Sequence, residues 1–381
     1  MHRILLFFAL SFTFQICHSQ AIYKKFNSTK LGSERELKIQ LPRNYDSNKE
    51  KRYPLIIVLD GDYLFEPMAG NIDYYSYWDE IPESIVVGVN QASSRISDSA
   101  YDEKSSLPVK TGAKFFEFIG MELLPFLDNN YRTTKFSMLV GHDLTANFIN
   151  YYLFKENPLF KAYINLSPDL APKMEDRLEQ SLATAESPKW FYLVTSAGDV
   201  PRLKKEIREL DNQLKTVENE NLHYFFDDFP EATHYTLVGQ ALPRALEKIF
   251  ASYRPISLED YDIIIASEQS AYEYLREKYE KIQNNYGIEK RVRINDYLAI
   301  GKALEDQQQW DELEKLGDLA QKEYPESILG NYYLARSYEE NGRTRKAMKT
   351  YQSAYGKESV AFMTIDFMLE KAEQIKKDFG Y

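Results

Sequence analysis

The sequence predicts an α/β protein with a mostly parallel central sheet, followed by a smaller all-α region. Three observations carry this reading. Short apolar runs alternate with segments of helical periodicity as far as Tyr253, and strands that alternate with helices form parallel sheets. Several of the runs are apolar without a break, as expected for strands covered on both faces. After Arg254-Pro255-Ile256-Ser257 the strand signal fades, and apolar residues recur with a 34-residue period, the mark of stacked helical units.

Residues 33–42 end in alternating polar and apolar positions and read as an outer, half-exposed strand. Tyr53 to Leu59 is a central strand that ends at Asp60-Gly61-Asp62, read as a sharp loop, and Ser84 to Val89 is a second such strand. Asn90 to Lys110 is polar and reads as a long loop over one end of the sheet. From Gly112 to Leu127, Phe115, Phe116, Phe118, Ile119, Leu123, Leu124 and Leu127 stand at helical spacing. Lys135 to Val140 is a buried strand, Gly141 to Thr145 a tight turn, and Ala146 to Phe154 a helix. Further strands are expected at Ala162–Leu166, Trp190–Thr195 and Leu222–Phe226, and helices at Pro201–Val217 and Leu242–Tyr253.

In the C-terminal region Gly301, Leu304, Leu313 and Ala320 are followed 34 residues later by Ala335, Tyr338, Ala347 and Ala354, and Pro325 closes the first unit. This resembles tetratricopeptide repeats, in which small residues let neighbouring helices approach; a plain helical bundle is the alternative. Two units are fewer than the roughly three a free solenoid needs, so support is expected from helices within 258–293 or from docking on the α/β part. The expected organisation is a signal peptide at 1–19, an α/β domain at 20–253 and a helical domain at 254–381. A peptide or protein partner is open for the last.

The N-terminus carries a separate message. His2-Arg3 precedes an apolar run from Ile4 to Ile16, and Cys17-His18-Ser19 places small residues before Gln20. This pattern predicts a secretory signal peptide, and hence a periplasmic or secreted protein. The run is well short of the roughly 20 residues of a membrane span, and Ile16 stands where a lipidation site at Cys17 would want a small residue. Cys17 is the only cysteine, so the mature chain is expected to lack disulfides, thiol nucleophiles and cysteine metal sites. A net charge of −11 without any basic block argues against nucleic acid or an anionic membrane as partner.

Gly141-His142-Asp143-Leu144-Thr145 is the chemically suggestive stretch. A strand-to-helix turn of the form G-x-nucleophile-x-G presents a nucleophile at the end of a sheet. Here Asp143 stands at the nucleophile position and Thr145 at the closing glycine. Such a site also needs a base, an acid that orients it, and N–H donors for an oxyanion. Asp199 and His234 follow in the required order, each after a predicted strand, and the backbone N–H groups of Gly61, Asp62 and Leu144 are the candidate donors.

Residues 31–253 resemble the putative esterase family of the α/β-hydrolase superfamily, which includes enterochelin-esterase-like, S-formylglutathione-hydrolase-like and feruloyl or acetyl-xylan esterase members. The matching stretches are Tyr53-Pro54 leading to Leu59-Asp60-Gly61-Asp62, Val87-Gly88-Val89 with Arg95 and Asp98, and Glu122 to Phe126 followed by Tyr131-Arg132-Thr133. Gly141-His142 and Pro158 to Tyr163 running into Ser167-Pro168 complete them. The resemblance implies the α/β-hydrolase fold and hydrolysis of a small-molecule or acylated-saccharide ester without cofactor or metal. It places the family's serine at Asp143, its acid near Asp199 and its histidine at His234. This chain departs from the pattern at Asp143, Thr145 and Ala146.

Three readings stand. Asp143 could be a covalent nucleophile, as in haloalkane dehalogenases and epoxide hydrolases, whose elbow Gly-His-Asp also resembles; yet Ser167 to Lys189 is too short for their cap. Water activated by His234 or Asp143 could hydrolyse esters. Or the site is catalytically dead and the fold binds a ligand or partner. Among the other histidines, His142 reads as packing and His223 as structural. Asp199 is equally suited to cap the helix from Pro201, and Thr145 is expected to crowd a turn that wants a small residue. Asp60 and Asp62 read as turn residues rather than metal ligands, and Tyr74-Tyr75 with Tyr77-Trp78 as wall, core or carbohydrate platform.

Overall fold

A computed structural model describes residues 21–381; the expected signal peptide lies outside the described residues. The strands are β1 (Ile22–Ser28), β2 (Ser33–Gln40), β3 (Tyr53–Val58), β4 (Ile85–Val89), β5 (Thr133–His142), β6 (Ala162–Leu166), β7 (Lys189–Gly198) and β8 (Leu222–Thr233). They form one eight-stranded sheet in the order β1-β2-β4-β3-β5-β6-β7-β8. β1 and β2 form an antiparallel hairpin, β2 pairs antiparallel with β4, and the remaining pairs are parallel. With the flanking helices this is the α/β-hydrolase architecture.

β3 shows why the inner runs are apolar without a break. Leu55 and Ile57 enter the core on one face of the sheet, Ile56 and Val58 the core on the other, so strand alternation leaves no solvent side. The helices that cover the faces are α1 (Gly61–Tyr77), α2 (Arg95–Asp98), α3 (Thr111–Glu117), α4 (Leu124–Asn130), α5 (Leu144–Ile149), α6 (Met174–Ala183), α7 (Pro201–Leu214) and α8 (Leu237–Ile249).

Several sequence expectations need correction. The stretch at Asp60-Gly61-Asp62 is not a loop of its own but the start of the 17-residue α1, whose Pro67 and Gly70 mask the helical pattern. The polar segment 90–110 contains α2. β8 runs on to Thr233, seven residues past Phe226, and α8 begins at Leu237 instead of Leu242. His234 therefore follows the strand directly.

The named elements after Tyr253 are all helices: α9 (Leu258–Ala266), α10 (Ala271–Tyr286), α11 (Ile294–Asp306), α12 (Trp310–Glu323), α13 (Leu329–Glu340), α14 (Thr344–Gln352) and α15 (Ile365–Phe379). α11–α12 and α13–α14 follow one another as two helix pairs. Gly301 allows the close approach of α13: a Cβ there would stand 2.4 Å from the Tyr333 ring, whose hydroxyl donates to the Tyr297 carbonyl at 2.9 Å.

The helical region is anchored to the sheet in two ways. Ile282 and Tyr286 of α10 share a core with Phe136, Trp190 and Phe250. Asp79, just past α1, accepts from Lys290 Nζ at 2.8 Å, Arg293 Nε at 2.6 Å and the Tyr253 hydroxyl at 2.7 Å. The Lys290 and Arg293 side chains are only 15% and 10% exposed, so removing Asp79 strands two largely buried cations. Asp79→Ala is expected to cost about 2 kcal/mol, less than a fully buried pair because Asp79 itself reaches solvent. Urea denaturation checks this, and a loss below about 0.5 kcal/mol would reduce the cluster to a surface ion pair.

Candidate active site

β5 delivers the turn. Asp143 has φ 58° and ψ −117°, a conformation an L-residue holds only when its surroundings over-determine it. They do so here: its N–H donates to the Leu166 carbonyl at 3.0 Å, and its carbonyl accepts from Asp169 at 3.1 Å and Asn147 at 3.2 Å. Gly141 is obligatory, since a Cβ would lie 2.5 Å from the Thr145 carbonyl oxygen. The turn is thus a nucleophile elbow in shape.

Thr145 does not crowd it. Its side chain is fully buried, and its hydroxyl accepts from the His142 N–H at 2.9 Å and donates to Asp60 Oδ2 at 2.7 Å. Asp60 is therefore a buried member of the site. It also accepts from Arg95 Nε at 2.8 Å and faces the Tyr63 hydroxyl at 2.9 Å. Arg95 Nη1 reaches Asp143 Oδ2 at 3.2 Å, and Nη2 donates to the His142 carbonyl at 2.8 Å. Burial works against the guanidinium's charge, but Asp60, Tyr63 and Asp143 beside it outweigh that and raise its pKa. Asp62 accepts from the N–H groups of Gln91 and Ala92 at 2.6 and 2.8 Å, which fixes the loop above α1.

The ends of β7 and β8 carry the second half. Asp199 Oδ1 lies 2.8 Å from His234 Nδ1, so that nitrogen carries the hydrogen and Nε2 is left as the basic atom. Asp199 is not a helix cap: its remaining bonds come from Ser167 and Thr195, both at 2.7 Å, and from the Val200 N–H at 2.8 Å. Burial alone would raise its pKa, but the bonds from His234, Ser167, Thr195 and Val200 hold it below the ordinary carboxylate value. His234 Nε2 has no hydrogen-bond partner among the described residues. The N–H groups of Gly61, Asp62 and Leu144, at the first positions of α1 and α5, likewise have none, as the first turn of a helix allows.

The structure thus brings Asp143, His234 and Asp199 to the carboxyl ends of the parallel strands β5, β8 and β7 on one edge of the sheet. It does not join all three: no hydrogen bond or ion pair links Asp143 to His234, and the Asp143 carboxylate is turned to Arg95. Sequence reasoning gave no role to Arg95, Ser167, Thr195 or Tyr63, although Ser167 and Thr195 stand at strand ends, where such residues are to be sought. His142 packs between the halves. Its Nε2–H donates to the His234 carbonyl at 3.1 Å and its Nδ1 faces the Tyr63 hydroxyl at 3.1 Å. His223 stacks on Trp190 at 4.8 Å, away from the site. Among the described residues no cluster of three or more His, Cys, Asp or Glu side chains could hold a metal ion, and no helix is long and apolar enough to cross a membrane.

The sequence profile described as Putative esterase matches residues 28–226. Similar solved structures include an uncharacterised protein from Capnocytophaga ochracea DSM 7271, 28% identical with a TM-score of 0.86, the match covering 94% of this chain and 100% of that one. An IroE-like serine hydrolase from Shewanella oneidensis is 21% identical, with a TM-score of 0.59 over 80% of this chain and 99% of that one. The BES protein from Bacillus cereus is 23% identical, with a TM-score of 0.53 over 61% and 95%. The last two are likenesses of fold. No curated protein matches the sequence.

Proposed function

The chain belongs to the Putative esterase family, and from that membership we propose that it is an exported esterase-like hydrolase that cleaves carboxylic esters with water activated by His234. The observation that carries the reading is the His234–Asp199 contact of 2.8 Å with Nε2 unpartnered. Nε2 takes a proton from water as its oxygen attacks the ester carbonyl carbon. The oxyanion is received by N–H groups of Gly61, Asp62 and Leu144. The imidazolium, steadied by Asp199, returns the proton to the departing alkoxide, leaving acid and alcohol.

Asp143 fills the serine's place without attacking. A carboxylate that attacked an acyl carbon would form an anhydride, and Arg95 holds this one apart from His234. The dehalogenase-like reading, in which a carboxylate attacks an alkyl carbon and forms an ester, has less support because this carboxylate is paired with Arg95 and the segment between β6 and β7 carries the single helix α6 in place of a cap domain. The export assignment rests on the apolar run from Ile4 to Ile16. For the C-terminal helices, a role in holding a peptide rests on their 34-residue spacing alone.

A second reading draws on the Arg95–Asp143 pair: a hydrolase fold that binds a ligand and turns nothing over. Assay of p-nitrophenyl acetate hydrolysis separates the two. The expected result is slow turnover by the wild type that His234→Ala lowers by about 10²-fold or more, whereas Asp143→Asn retains most of it. Equal rates in wild type and His234→Ala would leave the binding reading. Loss in Asp143→Asn would make the carboxylate catalytic.

A further inference from the structure

Three large aromatic side chains stand in solvent where α1 ends: Tyr74, Tyr77 and Trp78 are 63%, 61% and 63% exposed. Positions 74 and 78 are one helical turn apart with 77 beside them, so the rings form one strip. Tyr77 and Trp78 meet edge to face, centroids 5.1 Å apart at 86°, and Tyr74 leans on the half-buried Tyr75 at 5.7 Å. Arg43 lies over the Tyr77 ring at 5.0 Å while Asp73 grips it with two bonds of 2.7 and 2.6 Å. The rings are therefore braced before any ligand arrives. Next to them opens a groove of about 840 Å³ whose polar side is formed by Gln40, Arg43, Asp46, Ser47 and Asp73 and whose apolar side includes Ile22 and Leu41. Tyr74, Tyr77 and Trp78 stand clear of the core, whereas Tyr75 packs against it. They also lie far from the active site, since α1 starts there and its 17 residues span roughly 25 Å.

We infer that this strip and groove bind a neutral glycan chain whose pyranose rings carry equatorial hydroxyls. Such a ring has one face of C–H groups and a rim of hydroxyls. The face suits an exposed aromatic plane, and the rim suits carboxylate, amide and guanidinium groups that donate and accept in a plane. The strip itself holds tyrosine and tryptophan, as an amphipathic ligand would select, and the groove beside it adds the exposed aliphatic Ile22. Arg43, the cation of the groove lining, is paired with Asp73, and Asp46 adds a further carboxylate, so no cationic patch is left, and a chain of net charge −11 would be repelled by an anionic surface or polyanion. Large exposed aromatic patches on a rigid element mark binding surfaces, and carboxylates without a free cation disfavour an anionic occupant while they accept hydrogen bonds from sugar hydroxyls. The inference is independent of the chemistry at His234.

Calorimetric titration of the purified chain with cellohexaose and with xylohexaose tests this. The expected result is saturable binding to at least one of them, weakened at least ten-fold in both Trp78→Ala and Tyr74→Ala, in keeping with the weight of aromatic anchors at interfaces. Tyr355→Ala, which removes a 79% exposed ring from the helical region, should leave binding unchanged. All three positions are at the surface, so thermal midpoints should match the wild type. No heat with either oligosaccharide, or binding that survives both substitutions, overturns the proposal. Sedimentation that shows self-association abolished by Trp78→Ala would assign the strip to a second copy of the chain instead.

Discussion

Asp143→Ser is expected to raise p-nitrophenyl ester hydrolysis by about 10²-fold or more, because on the proposed reading the elbow and the His234–Asp199 pair are the parts a serine nucleophile would need. Loss of the serine from a triad enzyme costs on the order of 10⁶ in kcat, and restoring it recovers part of that deficit. The elbow backbone at φ 58° and ψ −117° is held by bonds to Leu166, Asp169 and Asn147 that do not involve the side chain. Arg95 would keep its bonds to Asp60 and to the His142 carbonyl, so its charge would not be stranded. His234 already has its hydrogen on Nδ1 against Asp199. A burst of p-nitrophenol from acylated enzyme would accompany the gain. A folded Asp143→Ser protein no faster than the wild type would mean that the site has lost more than its nucleophile.

The second large effect concerns acid stability. His142 is 2% exposed, and its pKa is lowered from 6.5 to about 4, chiefly by burial and next by the neighbouring His234. The His234 carbonyl, Asp143 and Asp60 act in the opposite direction and only partly offset this. The unfolded chain therefore takes up the proton near the ordinary histidine pKa, while the folded chain refuses it until about pH 4. Between those values unfolding binds a proton, so stability falls as pH falls, by about 3 kcal/mol in total. Below that window the effect is constant. Partnered carboxylates such as Asp199, whose pKa is also depressed, add their own loss on acidification, so the measurement is a difference. Urea midpoints of wild type and His142→Gln across pH 7 to 4 should converge or cross as pH falls. A gap that stays constant over that range would show that His142 is protonated equally in both states.

How much of this was legible beforehand depends on the kind of residue. The central strands could be read from runs such as Tyr53 to Leu59, since burial on both faces demands apolar residues at successive positions. α1 could not, because Pro67, Gly70 and the charged Glu66 break its pattern, and burial of Leu64, Met68 and Ile72 overrides weak propensity. Of the site, Asp143, Asp199 and His234 could be picked out because each follows a strand in a fixed order. Arg95 could be quoted as part of a motif but not given a task, because its three partners lie 35 to 48 residues away in the chain.

Thr145 marks the boundary between the two kinds of knowledge. From sequence it is an obstruction in a turn that wants glycine. In the fold it is a bonded link between His142 and Asp60, which lies 85 residues away. The order of residues along the chain determined the architecture, the elbow and the substitution within it, because periodicity and strand-end position are local properties. Only the tertiary structure decided that Asp143 faces Arg95, that His234 keeps Nε2 open, and that Tyr74, Tyr77 and Trp78 stand in water. Those outcomes turn on distances between side chains that no local pattern encodes.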